Sequence, residues 1–422
     1  MRTAIDMAGI SRRRSVTVLF DTIISHFPTT AARNNPTLSF VTTHEDASMN
    51  AIKPHIVVLC HTGQYSGAEV VLERIVGAAV SAGWRVTALV PDGRTLDRLA
   101  AVGAVVHRGP DLRLPFGMKA LGMAHGAVLS LKAAQLLRKQ ARRADLVLIN
   151  SIHALPALAV ARVPVPSVWM LHQVITSRFR LALVRFTRRA GYFTLAVSEA
   201  AAAPVRELGL SVDVIHNGTP SPVPTAPDDP PTQPVVGCAA ALTRWKGQDV
   251  LLEAMAMVDS DVVVELLGQR FPKDTAYERS LRARAEHPDL AGRVRFLGFR
   301  DDVLQVMRSW TLAVSASVDP EAVGLTTLEA MSVGIPVVGT DIGATPTIVG
   351  DAGLLVPPGD PDVMAREISR VVENVALWRR LHRAGPLRVG QHFRLDHQLS
   401  SMLSWLEHVA RGRQSSASLR RD

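Results

Sequence analysis

From residue 53 onward the chain alternates short apolar runs with amphipathic segments. HIVVLC, RVTALV, AVVH, DLVLIN, PSVWML, FTLAVS and VDVIH are apolar or β-branched, end in turn residues and predict strands, most of them followed by a helical segment. That rhythm implies a parallel sheet covered by helices on both faces. Asn217 to Pro234, NGTPSPVPTAPDDPPTQP, interrupts it with a density of proline that no helix or central strand holds. PVVGCAAAL, DVVVELLG, RVRFLG, TLAVSAS and PVVGT then resume the alternation. The pattern predicts an α/β chain of two Rossmann-like, doubly wound domains. Its parts are a poorly ordered extension over residues 1–52, a first domain over 53–218, a Pro-rich linker over 219–234, a second domain over 235–394, an amphipathic helix over 395–412 that packs back across the cleft, and a loose tail over 413–422. Ligands of such sheets bind at the carboxyl ends of the strands, so two facing carboxyl edges put a site in the cleft between the domains.

One segment of the second domain carries more than a fold signal. In PEAVGLTTLEAMSVGIPVVGT, Pro320 to Thr340, the residues after Gly324 are good helix formers, and Gly334 and Pro336 stop the helix. TLAVSAS before it reads as a buried strand. Glu321 therefore sits in a strand-to-helix loop and Glu329 on the second turn of the helix. The free N–H groups near Gly324 and Leu325 make an anion site, and Gly324 permits close approach. An acid on either side of an anion site suits a ligand with both phosphates and hydroxyls. Read singly, Glu321 is a solvated loop acid and Glu329 a helix-surface acid.

Composition narrows the function classes. The 422 residues are 47% hydrophobic and 20% charged, which excludes a disordered chain. The net charge of +9 is compatible with nucleic acid, an anionic membrane or an anionic substrate. With aromatics at 5% and no dense basic and aromatic block, nucleic acid is the weakest of these. Cys60 and Cys238 lie in apolar runs without metal-ligand spacing, which predicts reduced, buried thiols in a cytoplasmic protein. No apolar run is long enough to span a bilayer. SRRRSVTVLF near the amino end superficially resembles a secretory n-region, but Asp21 and His26 break the apolar stretch beyond it, and Met49 offers a natural alternative start.

Taken together, the motifs resemble the retaining glycosyltransferases of the GT-B fold, family four, over roughly residues 53–410. HTGQYSGAEVVLERIVGAAVSAGWRVTALVP is similar to the family's opening strand, Gly-rich loop and GGAE helix start, with Ser66 in place of the first glycine. AVSEAAAAPVRELGLSVDVIHNGTP, LTRWKGQDVLLEA, EAVGLTTLEAMSVGIPVVGT and DAGLLVPPGDPDVMAREI come after it in the family's order. The resemblance implies a nucleotide diphosphate sugar as donor and a glycan, lipid-linked or small-molecule hydroxyl as acceptor, with no cofactor and no essential metal. It assigns Glu329 to the donor's ribose, Glu321 to the hexose, and Gly324 and Leu325 to the diphosphate. Lys246 falls on the family's phosphate-binding lysine, and Gly63 and Gly67 border the donor from the first domain. The family's arginine is missing, because its position is Ala241; Arg244 is close enough to substitute. Thr347 stands where the family often has glutamate.

Other polar residues admit a plain reading beside a functional one. His172 ends the strand PSVWML and matches the family's active-site histidine, so it is expected to be catalytic with Glu321. His153 is its rival, and its plain reading is a helix-start residue. His61 and Gly63 also suit an ordinary turn. Asp360 before Pro361 reads as an N-cap, and Asp259 and Asp261 as a turn, rather than as metal ligands. SRFRLALVRFTRRAGYF, Ser177 to Phe193, combines arginines with Leu, Val and Phe. It reads as a surface helix packed on the first sheet, or as a contact with an anionic membrane that brings the enzyme to the inner face of the bilayer. Rival functions are a nucleotide-sugar 2-epimerase of the same fold, a non-catalytic sugar-nucleotide binding protein, and a Rossmann dehydrogenase, which lacks support because no G-x-G-x-x-G comes after a strand.

Overall fold

The computed structural model describes residues 53–113, 120–221, 226–259, 261–269 and 274–412. The extension expected over 1–52 and the tail expected over 413–422 lie outside the described residues. Two parallel sheets account for the apolar runs. The first holds β1 (His55–Leu59), β2 (Arg85–Val90), β3 (Val105–Arg108), β4 (Leu146–Ile149), β5 (Ser167–Leu171), β6 (Phe193–Ala196) and β7 (Asp213–Val214), in the order β3-β2-β1-β4-β5-β6-β7. The second holds β8 (Val235–Ala239), β9 (Val263–Leu267), β10 (Val294–Gly298), β11 (Leu312–Ser315), β12 (Val337–Thr340) and β13 (Leu354–Val356), in the order β10-β9-β8-β11-β12-β13. In each, the order reverses beside the first strand of the sheet, which opens a crevice at its carboxyl edge.

The described helices are α1 (Gly67–Ser81), α2 (Arg94–Ala101), α3 (Ala120–Ala141), α4 (Leu155–Ala161), α5 (Arg178–Thr187), α6 (Glu199–Arg206), α7 (Gln248–Ala256), α8 (Thr275–Ala285), α9 (Val303–Met307), α10 (Leu325–Ser332), α11 (Thr345–Val349), α12 (Pro361–Glu373), α13 (Val375–His392) and α14 (Leu395–Arg411). Local chemistry sets several of their starts. Ser198 accepts from the Ala201 N–H at 3.2 Å to open α6, and Asn374 accepts from Leu377 N–H at 2.9 Å to open α13. Asp360 accepts from Val363 N–H at 3.0 Å with Pro361 in the first helical position, so it is an N-cap.

Each sheet is buried on both faces. Val57, Val147 and Trp169 belong to one layer of the first domain's core, while Ile56, Leu148 and Val168 belong to the other. That second layer is completed from the far end of the chain by Met402, Trp405 and Leu406 of α14. In the second domain Trp310 lies against Gly237 so closely that a Cβ there would come within 1.9 Å of the indole.

The chain passes between the domains twice, side by side. Thr219 N–H donates to Phe393 O at 2.9 Å, and Leu395 N–H donates to Thr219 O at 3.0 Å. Gln398 clamps the pair, accepting from Gly218 N–H at 2.7 Å and donating to Asn217 Oδ1 at 2.9 Å. The Pro-rich linker is fastened to the second domain through Ala226 N–H to Val333 O at 2.7 Å and an Asp229–Arg379 ion pair at 2.6 Å.

Candidate active site

The second domain builds one wall from the loop between β11 and α10. Glu321 is only 7% exposed, which rules out the solvated loop acid. Its carboxylate accepts from the Ser317 hydroxyl and pairs with Lys246 Nζ at 2.7 Å. Lys246 ends a single 3₁₀ turn, Arg244–Lys246, closed by Gly247 at φ 66°, where a Cβ would also strike Ala316 O at 2.0 Å. The lysine lies against the Trp245 ring, 4.3 Å from its centroid. No side chain caps α10 at Gly324, so the N–H groups of its first turn stay open beside Thr326 and Thr327, which line one small cavity with Lys246 and Glu321.

Glu329 lies one turn further along α10 and meets the other domain. Arg74 of α1 pairs with it at 3.5 Å and donates to Gly218 O at 3.3 Å. Burial pushes the Glu329 carboxyl up, and Arg74 opposes that shift. Gly67 at the start of α1 faces Leu325, whose Cδ1 would lie 3.7 Å from a Cβ at that position. Gly63 has a packing reason to be glycine: a Cβ would come within 2.0 Å of Asp92 O.

The first domain supplies the opposite wall from the carboxyl ends of β1, β4 and β5. His61, Asn150, His153 and His172 line a cavity of about 250 Å³ together with Glu69 and Arg113. His172 and Asn150 are joined by a hydrogen bond of 2.9 Å between Nε2 and Oδ1, which makes Nε2 the protonated nitrogen and leaves Nδ1 free to accept. His61 and His153 stack with ring centroids 5.3 Å apart and planes 9° from parallel. Burial holds His61 and His172 down at about 4 and His153 at about 3, so all three rings are neutral at physiological pH. Burial pushes Glu69 up, against the hydrogen bond from Ser66.

The structure thus sets Lys246 and Glu321 beside Thr326 and Thr327 of the first turn of α10, pairs Glu329 with Arg74, turns Leu325 toward Gly67 of the first domain, and puts His172 in one cavity with His61 and its rival His153. Arg244 stands apart: it is exposed and its guanidinium lies over the Tyr277 ring at 5.4 Å. Sequence reasoning missed Arg74 and Asn150. Arg74 comes two helical turns after Gly67 on the same face of α1, a usable signal; nothing in DLVLIN marked Asn150. Asp259 accepts from Asp261 N–H at 3.1 Å in a turn, and among the described residues no cluster of His, Cys, Asp or Glu is set to hold a metal. α5 buries Val184 and Thr187 and exposes Phe179 (59%) and Phe186 (39%) beside Arg178 and Arg185. No described helix is long and apolar enough to cross a membrane.

Comparison with known proteins bears on the family and fold of both domains. The family model described as Glycosyltransferase Family 4 matches residues 65–221, and that described as Glycosyl transferases group 1 matches residues 233–374. The lipopolysaccharide core biosynthesis mannosyltransferase LpsB of Rhizobium meliloti is 26% identical over 43% of this chain and 53% of its own. The phosphatidyl-myo-inositol mannosyltransferase of Mycolicibacterium smegmatis is 35% identical over 31% of this chain and 33% of its own. The chain thus spans about half or less of the length of the curated relatives it matches. Among solved structures, HepE of Anabaena in complex with UDP and glucose superposes with a TM-score of 0.72 at 25% identity, covering 83% of this chain and 99% of HepE.

Proposed function

The chain belongs to the group 1, family 4 glycosyltransferases of GT-B fold, whose two models match both of its domains, and from that premise we propose that it transfers a hexosyl group from a nucleotide diphosphate sugar to an acceptor hydroxyl with retention of configuration. The reading is supported by Lys246 and Glu321, which share one small cavity of the second domain with Thr326 and Thr327 at the amino end of α10. Mannosyl or glucosyl transfer is supported by the relatives named mannosyltransferase and by HepE, whose crystals hold UDP and glucose. A glycan or lipid-linked acceptor is supported by the lipopolysaccharide and phosphatidylinositol in the relatives' names, and by the exposed Phe and Arg face of α5, suited to an anionic bilayer.

In this reading the bond from the sugar's anomeric carbon to the diphosphate oxygen breaks, and negative charge grows on the leaving diphosphate. Lys246 has three N–H donors, so it can keep Glu321 and still meet a phosphate oxygen. The α10 amides add fixed dipoles, and together these groups stabilise the charge without a metal or cofactor. Glu321 faces the sugar as it gains positive character, Glu329 takes the ribose hydroxyls, and His172 lies at the acceptor face of the sugar. Rotation at the double crossing excludes water, which would otherwise compete as acceptor.

The test is titration of the purified chain with UDP- and GDP-sugars, with nucleotide release measured with and without an acceptor. Saturable donor binding and acceptor-stimulated release are expected. Conversion of the sugar without acceptor would indicate an epimerase, and binding without any turnover a sugar-nucleotide binding protein.

A further inference from the structure

The cavity of about 250 Å³ in the first domain holds more polar capacity than the chain itself uses. Asn150 and Glu69 are each 1% exposed, yet among the described residues Asn150 Nδ2 and Glu69 Oε1 have no hydrogen-bond partner. Trp169 Nε1, Gln173 Nε2 and His61 Nδ1 also lack a partner, and all five side chains line the cavity. Buried polar atoms left unpaired are costly, and five around one void point to a ligand that pairs with them.

We propose that this cavity binds an uncharged, polyhydroxylated ring of the acceptor, a hexose or cyclitol, rather than a phosphorylated group. The proposal rests on the transferase reading above and names the chemistry of its second substrate. The unpaired set mixes amide donors and the Trp169 indole N–H with a carboxyl oxygen and an imidazole nitrogen. A hydroxyl both donates and accepts, so a ring of hydroxyls satisfies that mixture whichever way the amides and tautomers settle. A phosphate only accepts, and here it would face the Glu69 carboxyl. Among the described residues of the lining Arg113 is the one Lys or Arg, and it is already paired with Asp111 at 2.6 Å. Burial keeps the three histidines neutral, so they add no positive charge. The volume falls below the roughly 300–1,000 Å³ of drug-sized pockets and suits a single ring. Ser66 and Ala68 line the cavity on either side of Gly67, which faces Leu325, so a ring held here borders the amino end of α10 where the donor's diphosphate is placed.

Saturation-transfer NMR on the full chain, with and without UDP, tests this with myo-inositol and methyl α-mannopyranoside against myo-inositol phosphate and mannose 6-phosphate. The two neutral probes are expected to bind at least about tenfold more tightly than the phosphates. Asn150→Leu and Gln173→Leu should each weaken the neutral probes by roughly tenfold while UDP affinity holds, as expected when a polar partner in a buried site is lost. Gln173→Leu, at a less buried lining residue, keeps the test open if Asn150→Leu unfolds. Tighter binding of the phosphates, variants without effect on the neutral probes, or no binding of any probe would overturn the proposal. Failure of UDP to bind would instead sink the donor reading, and the probes measured without UDP still report on the cavity.

Discussion

At the scale of single residues, Lys246 and Arg244 sit in different surroundings although only Trp245 separates them in the chain. Lys246 is paired with a nearly buried carboxylate, whereas Arg244 lies over Tyr277 in solvent. Lys246→Ala leaves Glu321 uncompensated and, on the proposed reading, removes a fixed contact to the leaving group, so turnover is expected to fall by about 10² to 10³. Arg244→Ala is expected to change it by no more than a few-fold. A double-mutant cycle on nucleotide release checks both, and strong coupling between the two losses would show that donor binding draws Arg244 off Tyr277. The histidines give a second expectation. His61, His153 and His172 are held at about 4, 3 and 4, below the usual 6.5, because burial disfavours their charge. Their folded values are depressed, so the unfolded chain takes up protons that the folded chain refuses between about pH 6.5 and 4. Their contribution is neutral above about 6.5 and increasingly destabilising as pH falls through that window; burial of Glu69 and Glu329 works in the opposite sense. His153→Gln should flatten the fall of melting temperature from pH 7 to 4.5. An unchanged slope would show that His153 titrates normally.

Among the elements, α14 is the one whose place in the chain least resembles its place in the fold. It comes after the second domain in sequence yet completes the core of the first, where Trp405 is 2% exposed, donates Nε1 to Asp213 Oδ2 at 3.2 Å and meets Phe193 edge-on. Trp405→Ala should cost about 3 to 5 kcal/mol, read as a lower urea midpoint for the first domain. A cost under about 1 kcal/mol would mean that α14 is dispensable packing. Because α14 begins at the double crossing, losing its anchor should also loosen the hinge at Gly218.

Over the whole molecule, contact between the domains runs through groups of the proposed site. Arg74 bonds Glu329 across the cleft, and Ala322 of the Glu321 loop sits in the first domain's core. A donor that engages Glu329 through hydroxyls must displace Arg74, so the pair and the donor compete for one carboxylate. Arg74→Ala should cost about 1 kcal/mol of stability or less, as expected of a partly exposed pair, and should tighten donor binding a few-fold by calorimetry. A tenfold loss would show instead that Arg74 holds the donor directly.

Much of this was written locally. Apolar runs with turn residues at their ends marked twelve of the thirteen described strands, because burial on both faces of a parallel sheet demands uninterrupted apolar residues. Among the described strands β13, the three residues LLV between Gly353 and Pro357, was not marked. Glu321, Gly324 and Glu329 were legible as a group, since one strand–loop–helix unit fixes their spacing. Tertiary structure decided what depended on partners distant in sequence: that Glu321 is buried against Lys246, that Arg74 reaches Glu329, that Arg244 turns away to Tyr277, and that His61, His153 and His172 share one cavity wall. Side-chain period reports which face of an element is apolar, but not which distant element covers it. The pairing of charges and the desolvation of the histidines arise only when separate strand ends are brought to one edge.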